Sequence, residues 1–250
     1  MNGTGPLDLV LWGILPYTVL VTAVGGLVWR YRYDRFGWTT RSSELYESRL
    51  LRIGSPLFHA GLLFVVLGHV VGLLVPEGWT RALGVSDALY HVTALGLGLV
   101  AGVCTLGGIA LLIWRRRTTG PVFSATTRND KLMYLVLVLA ILTGLGMTAY
   151  FAGVELAGGH TQDYRRTVSP WFRSIWILQP DVAAMAAAEA PYKLHALTGL
   201  ALFALLPFTR LVHAFSAPVG YLFRPYVVYR TRDRHTAGAG RSERSTRRGW

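Results

Sequence analysis

The chain has 250 residues, 52% of them hydrophobic and 15% charged, and its mean hydropathy is +0.38. A soluble globular domain carries about 25% charged residues, so the composition argues against a soluble fold. The net charge of +12 would suggest nucleic acid in a soluble protein, but here the basic residues lie in blocks between apolar runs, and no nucleic-acid partner is expected.

Five apolar runs, roughly 7–29, 54–75, 88–114, 132–151 and 191–213, approach the ~20 residues that a helix needs to cross a bilayer. Lipid offers no partner for backbone polar groups, and runs of this length are too long for barrel strands. The expected fold is an all-α integral membrane protein, a bundle of five transmembrane helices.

The first run lacks a basic leader and a small-residue cleavage site, so it reads as a retained span. It ends in the collar Trp29-Arg30-Tyr31-Arg32-Tyr33, a pattern of interface anchors. In the polar segment that follows, Ser43-Glu44-Leu45-Tyr46 is expected to begin a short surface helix. Span two carries His59 and His69 among Gly54, Gly61, Gly68 and Gly72. Small residues admit either a neighbouring helix or a flat macrocycle close to the backbone. The connection 76–87 is short. The lone Cys104 in span three excludes an intrachain disulfide, and with no Cys-x-x-Cys-His a covalently attached haem is excluded too.

The longest connection, 152–190, holds the aromatic stretch 169–178, expected as an interfacial helix with Trp171 and Trp176 at headgroup level. The alanine-rich segment 182–189 is expected to extend into span five. Beyond it lies a basic stretch without an apolar face. The chain therefore divides into a membrane domain, residues 1–228, and a basic tail, 229–250, expected to be disordered.

Three connecting segments, 30–53, 115–131 and 210–250, hold 20 of the 25 basic residues. The opposite side has Arg81, Arg165, Arg166, Arg173 and Lys193 against seven acids. Positive charge is retained in the cytoplasm, which predicts an outer N-terminus and a cytoplasmic C-terminus. An odd number of spans agrees.

Ionisable side chains within a bilayer are costly and mark function, and neutral imidazole is a standard ligand of haem iron. By this topology His59 and His213 lie on the inner side, and His69 and His195 on the outer. Depth matching pairs His59 with His213 and His69 with His195 as ligands of two b-type haems. The spacing fits loosely. Ten residues of helix rise about 15 Å and eighteen about 27 Å, so tilt and a kink at Pro207 are expected to absorb the difference. His160 and His235 read as solvated or structural. Arg210, one turn before His213, reads either as a partner of a haem propionate or as a snorkelling side chain.

At these histidines the sequence resembles the gamma subunit of respiratory nitrate reductase, a membrane cytochrome b. The resemblance rests on Leu57-Phe58-His59-Ala60-Gly61 with Leu67-Gly68-His69-Val70-Val71-Gly72. It rests further on Leu194-His195, Gly199, Phe203 and Pro207-Phe208-Thr209-Arg210-Leu211-Val212-His213, continuing into Ser216-Ala217-Pro218-Val219 and Tyr221-Leu222. Arg30-Tyr31, Cys104 with Gly107-Gly108, and Ala125-Thr126-Thr127 add weaker similarity, and the whole covers about residues 10–228.

The resemblance implies a multi-pass subunit of a bacterial or archaeal cell membrane that oxidises menaquinol or ubiquinol near the outer haem. Electrons would pass through the inner haem to a cytoplasmic iron–sulfur beta subunit. A molybdenum-cofactor alpha subunit would then reduce nitrate, for which this chain holds no residue set. By the same resemblance Gly68 and His69 border the quinol pocket. The family has a quinol-site lysine at the start of span three, where this sequence reads Ser86-Asp87-Ala88-Leu89-Tyr90-His91. His91, whose imidazole can hydrogen-bond a quinone carbonyl and accept a proton, is the hypothesised replacement. The basic segments are expected to meet partner subunits, anionic lipid, or both. The rival readings are a related diheme subunit of a sulfur-redox or heterodisulfide-type complex, and a haem-free scaffold or transporter with structural histidines.

Overall fold

The computed structural model describes residues 4–34 and 43–215. The expectations for the basic tail 229–250, for His235 and for the motif at 216–222 lie outside the described residues. Every regular element among those described is helical.

Pro6–Asp8 (α1) leads through a π-wound stretch, Leu9–Ile14, into Leu15–Tyr33 (α2). Arg49–His69 (α3) continues as π turns over Val70–Leu74. The connection expected as a short loop contains Glu77–Ala82 (α4). Asp87–Thr118 (α5) and Arg128–Leu156 (α7) flank the short Gly120–Ser124 (α6). Val168–Trp176 (α8), Val182–Ala186 (α9) and Ala190–Leu205 (α10) follow, with 3-10 turns over Leu206–Phe208 and Arg210–Phe215. Four helical runs, Pro6–Tyr33, Arg49–Leu74, Asp87–Thr118 and Arg128–Leu156, are long and apolar enough to cross a membrane.

Local chemistry sets the helix ends. The Ser86 hydroxyl accepts from the Leu89 N–H at 3.2 Å and caps α5. Thr127 and Asp130 form a reciprocal capping box on α7, at 3.1 and 2.9 Å. Arg115, Arg116 and Arg117 occupy the last turn of α5, where cations complement the helix dipole.

The continuous fifth span expected over 191–213 is instead a helix of 16 residues. That length rises about 24 Å, short of a ~30 Å hydrocarbon core. Pro207 lacks the N–H that would continue the ladder, and Thr209 is extended, with φ −123° and ψ −176°. Side chains catch the freed carbonyls. Arg30 Nη1 donates to Pro207 O at 2.7 Å and Thr209 O at 3.3 Å, and Asn129 Nδ2 donates to Phe208 O.

Three other local expectations are corrected. Ser43–Tyr46 forms a turn closed by Tyr46 N–H to Ser43 O at 3.1 Å, not the start of a helix. The alanine-rich segment is a separate short helix, because Glu189 is extended at the start of α10. Trp176 is exposed, but Trp171 is buried. The amphipathic α8 turns its apolar face onto the protein, so that the Trp171 ring packs edge-on to Trp12 at 5.7 Å and its Nε1 donates to Trp12 O at 2.8 Å.

Helix α3 packs on α5, α5 on α7, α7 on α10, and α10 on α2. The α3–α5 contact is close because it is built from small residues. A Cβ on Gly108 would meet backbone atoms of Phe58 at less than 3 Å, and one on Gly61 would meet Thr105 and Ala101. Two cores result. One gathers Phe58, Ile109 and Leu137; the other gathers Trp12, Phe151, Trp171, Ile175, Met185 and Tyr192. Large apolar side chains such as Val21, Leu63, Phe64, Val92 and Val100 remain exposed, as hydrocarbon solvent permits.

Candidate functional site

His59 and His69 occupy successive levels of α3, and both are exposed towards the segment 190–215. The His59 and His213 rings lie with centroids 6.0 Å apart and planes at 66°. The His69 and His195 rings lie 5.8 Å apart at 40°. These are the two pairs that the depth order predicts. The rings of α3 thus face α10 at His195 and the following 3-10 segment at His213. The break after Leu205 lets His213 reach His59 without eighteen residues of straight helix.

Each ring is held through Nδ1. His59 Nδ1 bonds Ser55 O at 2.8 Å, His69 Nδ1 bonds Val65 O at 2.7 Å, and His213 Nδ1 bonds Arg210 O at 2.5 Å. His195 Nδ1 instead bonds the Thr143 hydroxyl of α7 at 3.1 Å. A proton on Nδ1 donated to these oxygens leaves the lone pair on Nε2, the tautomer of a metal ligand.

The described residues fit a metal held between two imidazoles. Metal–nitrogen bonds of roughly 2.0–2.1 Å place two ligand ring centres about 6 Å apart, close to both observed separations. The histidines gather in twos, and among the described residues no group of three or more His, Cys, Asp or Glu converges on one point. Two imidazoles from the protein per metal is the donor set that a b-type haem iron would take.

The glycines of span two divide by role. Gly54 and Gly61 face α5, and a Cβ on Gly72 would meet Tyr164, so these three serve packing. Gly68, beside His69, faces open space, as does Gly199 on α10. A Cβ on Gly144 of α7 would come within 2.8 Å of His195 Cε1.

At the His213 end, Arg210 is paired with Asp130. Nε donates to Oδ1 at 2.5 Å and Nη2 to Oδ2 at 2.9 Å, and both side chains are largely buried. On the same side, Arg115 is buried and donates to Glu47 Oε2 at 2.6 Å, Ser43 Oγ at 2.9 Å and Ser43 O at 2.8 Å. The Leu50 N–H, ahead of Arg115, holds the Glu47 carboxyl below its ordinary value.

At the His69 end, His91 Nε2 lies 2.5 Å from Glu155 Oε1, which also accepts from Thr161 at 2.6 Å. The neighbouring Tyr90 hydroxyl bonds that of Tyr164 at 2.9 Å, and burial, aided by that bond, pushes the Tyr164 phenol up. Pro76 has no N–H to give Gly72 O. Ser169 Oγ supplies a donor instead, at 2.8 Å, and Arg173 Nη1 donates to Leu73 O at 3.1 Å. His160 is exposed.

Sequence reasoning missed Thr143, Asp130 and Glu155. Asp130 was detectable from its capping spacing after Thr127. Thr143 is a hydroxyl in an apolar run, a type that ordinarily bonds its own helix, and it gave no signal.

A family profile described as nitrate reductase gamma subunit matches residues 8–232. The chain belongs to this nitrate reductase gamma subunit family. It is similar to the nitrate reductase gamma chain of Bacillus subtilis, with 46% identity over 89% of this chain and 98% of the relative. It is similar also to the respiratory nitrate reductase 2 gamma chain of Escherichia coli K12, with 34% identity over 90% and 98%. The nitrate reductase-like protein NarX of Mycobacterium tuberculosis is 58% identical over 96% of this chain. The chain spans 36% of that relative's length. With its four long apolar helices, this member of the gamma-subunit family is a multi-pass protein of a bacterial membrane.

Proposed function

We propose that the chain is the diheme cytochrome b anchor of a respiratory nitrate reductase, oxidising menaquinol or ubiquinol near the outer face. The observation that carries this reading is the pair of facing imidazole couples, each ring oriented through Nδ1. His59 with His213, and His69 with His195, would hold two haem b groups. Bound haem supplies one-electron carriers at two depths.

The rest of the reading assigns roles to the chain's own residues. Gly68 and His69 border the quinol, and His91 accepts its proton, with Glu155 fixing the imidazole. Arg210, already paired with Asp130, adds a charge-assisted bond to a propionate. Residues 190–215 make the fifth passage, so that the N-terminus lies outside and the C-terminus in the cytoplasm. The basic segments then face an iron–sulfur beta subunit, a molybdenum-cofactor alpha subunit and anionic lipid.

A reduced-minus-oxidised spectrum of the purified complex tests the proposal. Two b-type haems per chain, reduced by quinol and reoxidised by nitrate, are the expected result. An assembled complex without b-type bands would overturn it. Reoxidation by a sulfur substrate and not by nitrate would favour the sulfur-redox alternative.

A further inference from the structure

The four histidines are not oriented alike. Three bond a backbone carbonyl of their own segment, three or four residues earlier. His195 bonds a side-chain hydroxyl on another helix, with the Ala140 carbonyl of that helix as a further partner. The ordinary role of a threonine inside a span is to bond its own helix, and Thr143 does so, donating to Leu139 O at 2.8 Å. With its one proton spent there, the oxygen is an acceptor towards His195 Nδ1–H. The same oxygen lies 3.1 Å from Thr198 Oγ1, and Thr198 in turn lies within reach of His195 O at 2.8 Å. The next residue, Gly144, has no side chain where a Cβ would crowd Cε1 of the same ring. Thr143 and Gly144 thus address one imidazole from two adjacent positions of α7, by a bond and by cleared space.

We propose that the Thr143–Gly144 step is the positioning seat of His195, and that the Thr143 hydroxyl, by accepting from Nδ1–H, sets the electron-donor strength of this imidazole. The proposal rests on the haem reading given above. A carbonyl accepting from Nδ1–H draws its proton and raises the basicity of Nε2. The Thr143 oxygen acts in the same sense, and its own donated bond to Leu139 O strengthens it as an acceptor. Removing this acceptor weakens the imidazole as a donor, which disfavours the ferric state and raises the potential of that haem alone.

The test uses the holo-complex with T143V, T143S and G144A, read by redox titration and by low-temperature electron paramagnetic resonance of both haems. T143V is expected to raise the midpoint potential of one haem, the one lost in His195→Ala, and to leave the other in place. T143S restores the hydroxyl and returns the wild-type value. G144A pushes the ring and shifts the resonance of that same haem. Unchanged potentials and resonances in T143V would overturn the proposal, as would an equal shift in T143S. Where T143V does not assemble, a G144A spectrum identical to wild type overturns the seat. Failure of the haem reading itself is separate, since it would show as missing b-type bands in the wild-type protein.

Discussion

Arg210 closes on both oxygens of Asp130, at 2.5 and 2.9 Å, three residues before His213. The same carboxylate caps α7 through the Thr127 N–H. One acid therefore ties the start of α7 to the 3-10 segment that delivers His213 to His59. Breaking a buried pair leaves an uncompensated charge and costs about 3–5 kcal/mol. Asp130→Ala is expected to lower the thermal midpoint of the detergent-purified protein and to release the His213-side haem first. A melting curve matching wild type would refute this role.

The pairing of the histidines has its own spectral consequence. His59→Ala and His213→Ala are expected to lose one and the same b-type band, and His69→Ala and His195→Ala the other. Difference spectra of the four single variants decide it; losses grouped by helix instead of by depth would contradict the pairing.

Glu47 gives an acid-side dependence. Its carboxyl is lowered by the Leu50 N–H and by Arg115, so its contribution is present above its ordinary value of 4.5. That contribution is lost as pH falls through the lower folded value. Wild-type stability is expected to drop on acidification below about pH 4.5, and Glu47→Gln to flatten that limb. Arg115→Ala, which removes all contacts to Ser43 and Glu47, is expected to open 43–48 to limited proteolysis.

Gly108 tests the α3–α5 contact. Its Cβ would overlap Phe58 backbone atoms that have nowhere to move, and overpacking costs about 1–3 kcal/mol. Gly108→Ala is expected to lower the thermal midpoint, whereas Gly146→Ala, facing open space, is expected to leave it unchanged. Equal melting of the two variants would remove the packing argument.

His91→Ala and Glu155→Gln are expected to slow quinol oxidation together. Nitrate reduction from an artificial donor that feeds the soluble subunits should remain. A quinol rate unaffected in His91→Ala would move the proton acceptor to another residue.

Much of this molecule was legible in the sequence. Four spans follow from hydropathy alone, because ~20 apolar residues in lipid have one backbone solution. Charge asymmetry supplies an expected depth order for the histidines, and the pairs expected from it are those whose rings face each other. The fifth run misled, since Pro207 signals a kink but not that Arg30 and Asn129, from distant positions, hold its carbonyls in a break. Trp171 misled in a similar way. An amphipathic helix needs an apolar partner, and periodicity does not say whether that partner is lipid or Trp12. Thr143 was illegible because its role is set by a ring on another helix.

The carbonyls of Gly72 and Leu73 have consequences for how the protein is made. Their donors, Ser169 and Arg173, lie 97 and 100 residues further along the chain. While the nascent chain is threaded into the bilayer, both oxygens must be hydrated until that later segment has been translated. The top of α3 therefore has to wait at the water line, since burying them in hydrocarbon would cost several kcal/mol each. Docking of α8 is then a late step of biogenesis.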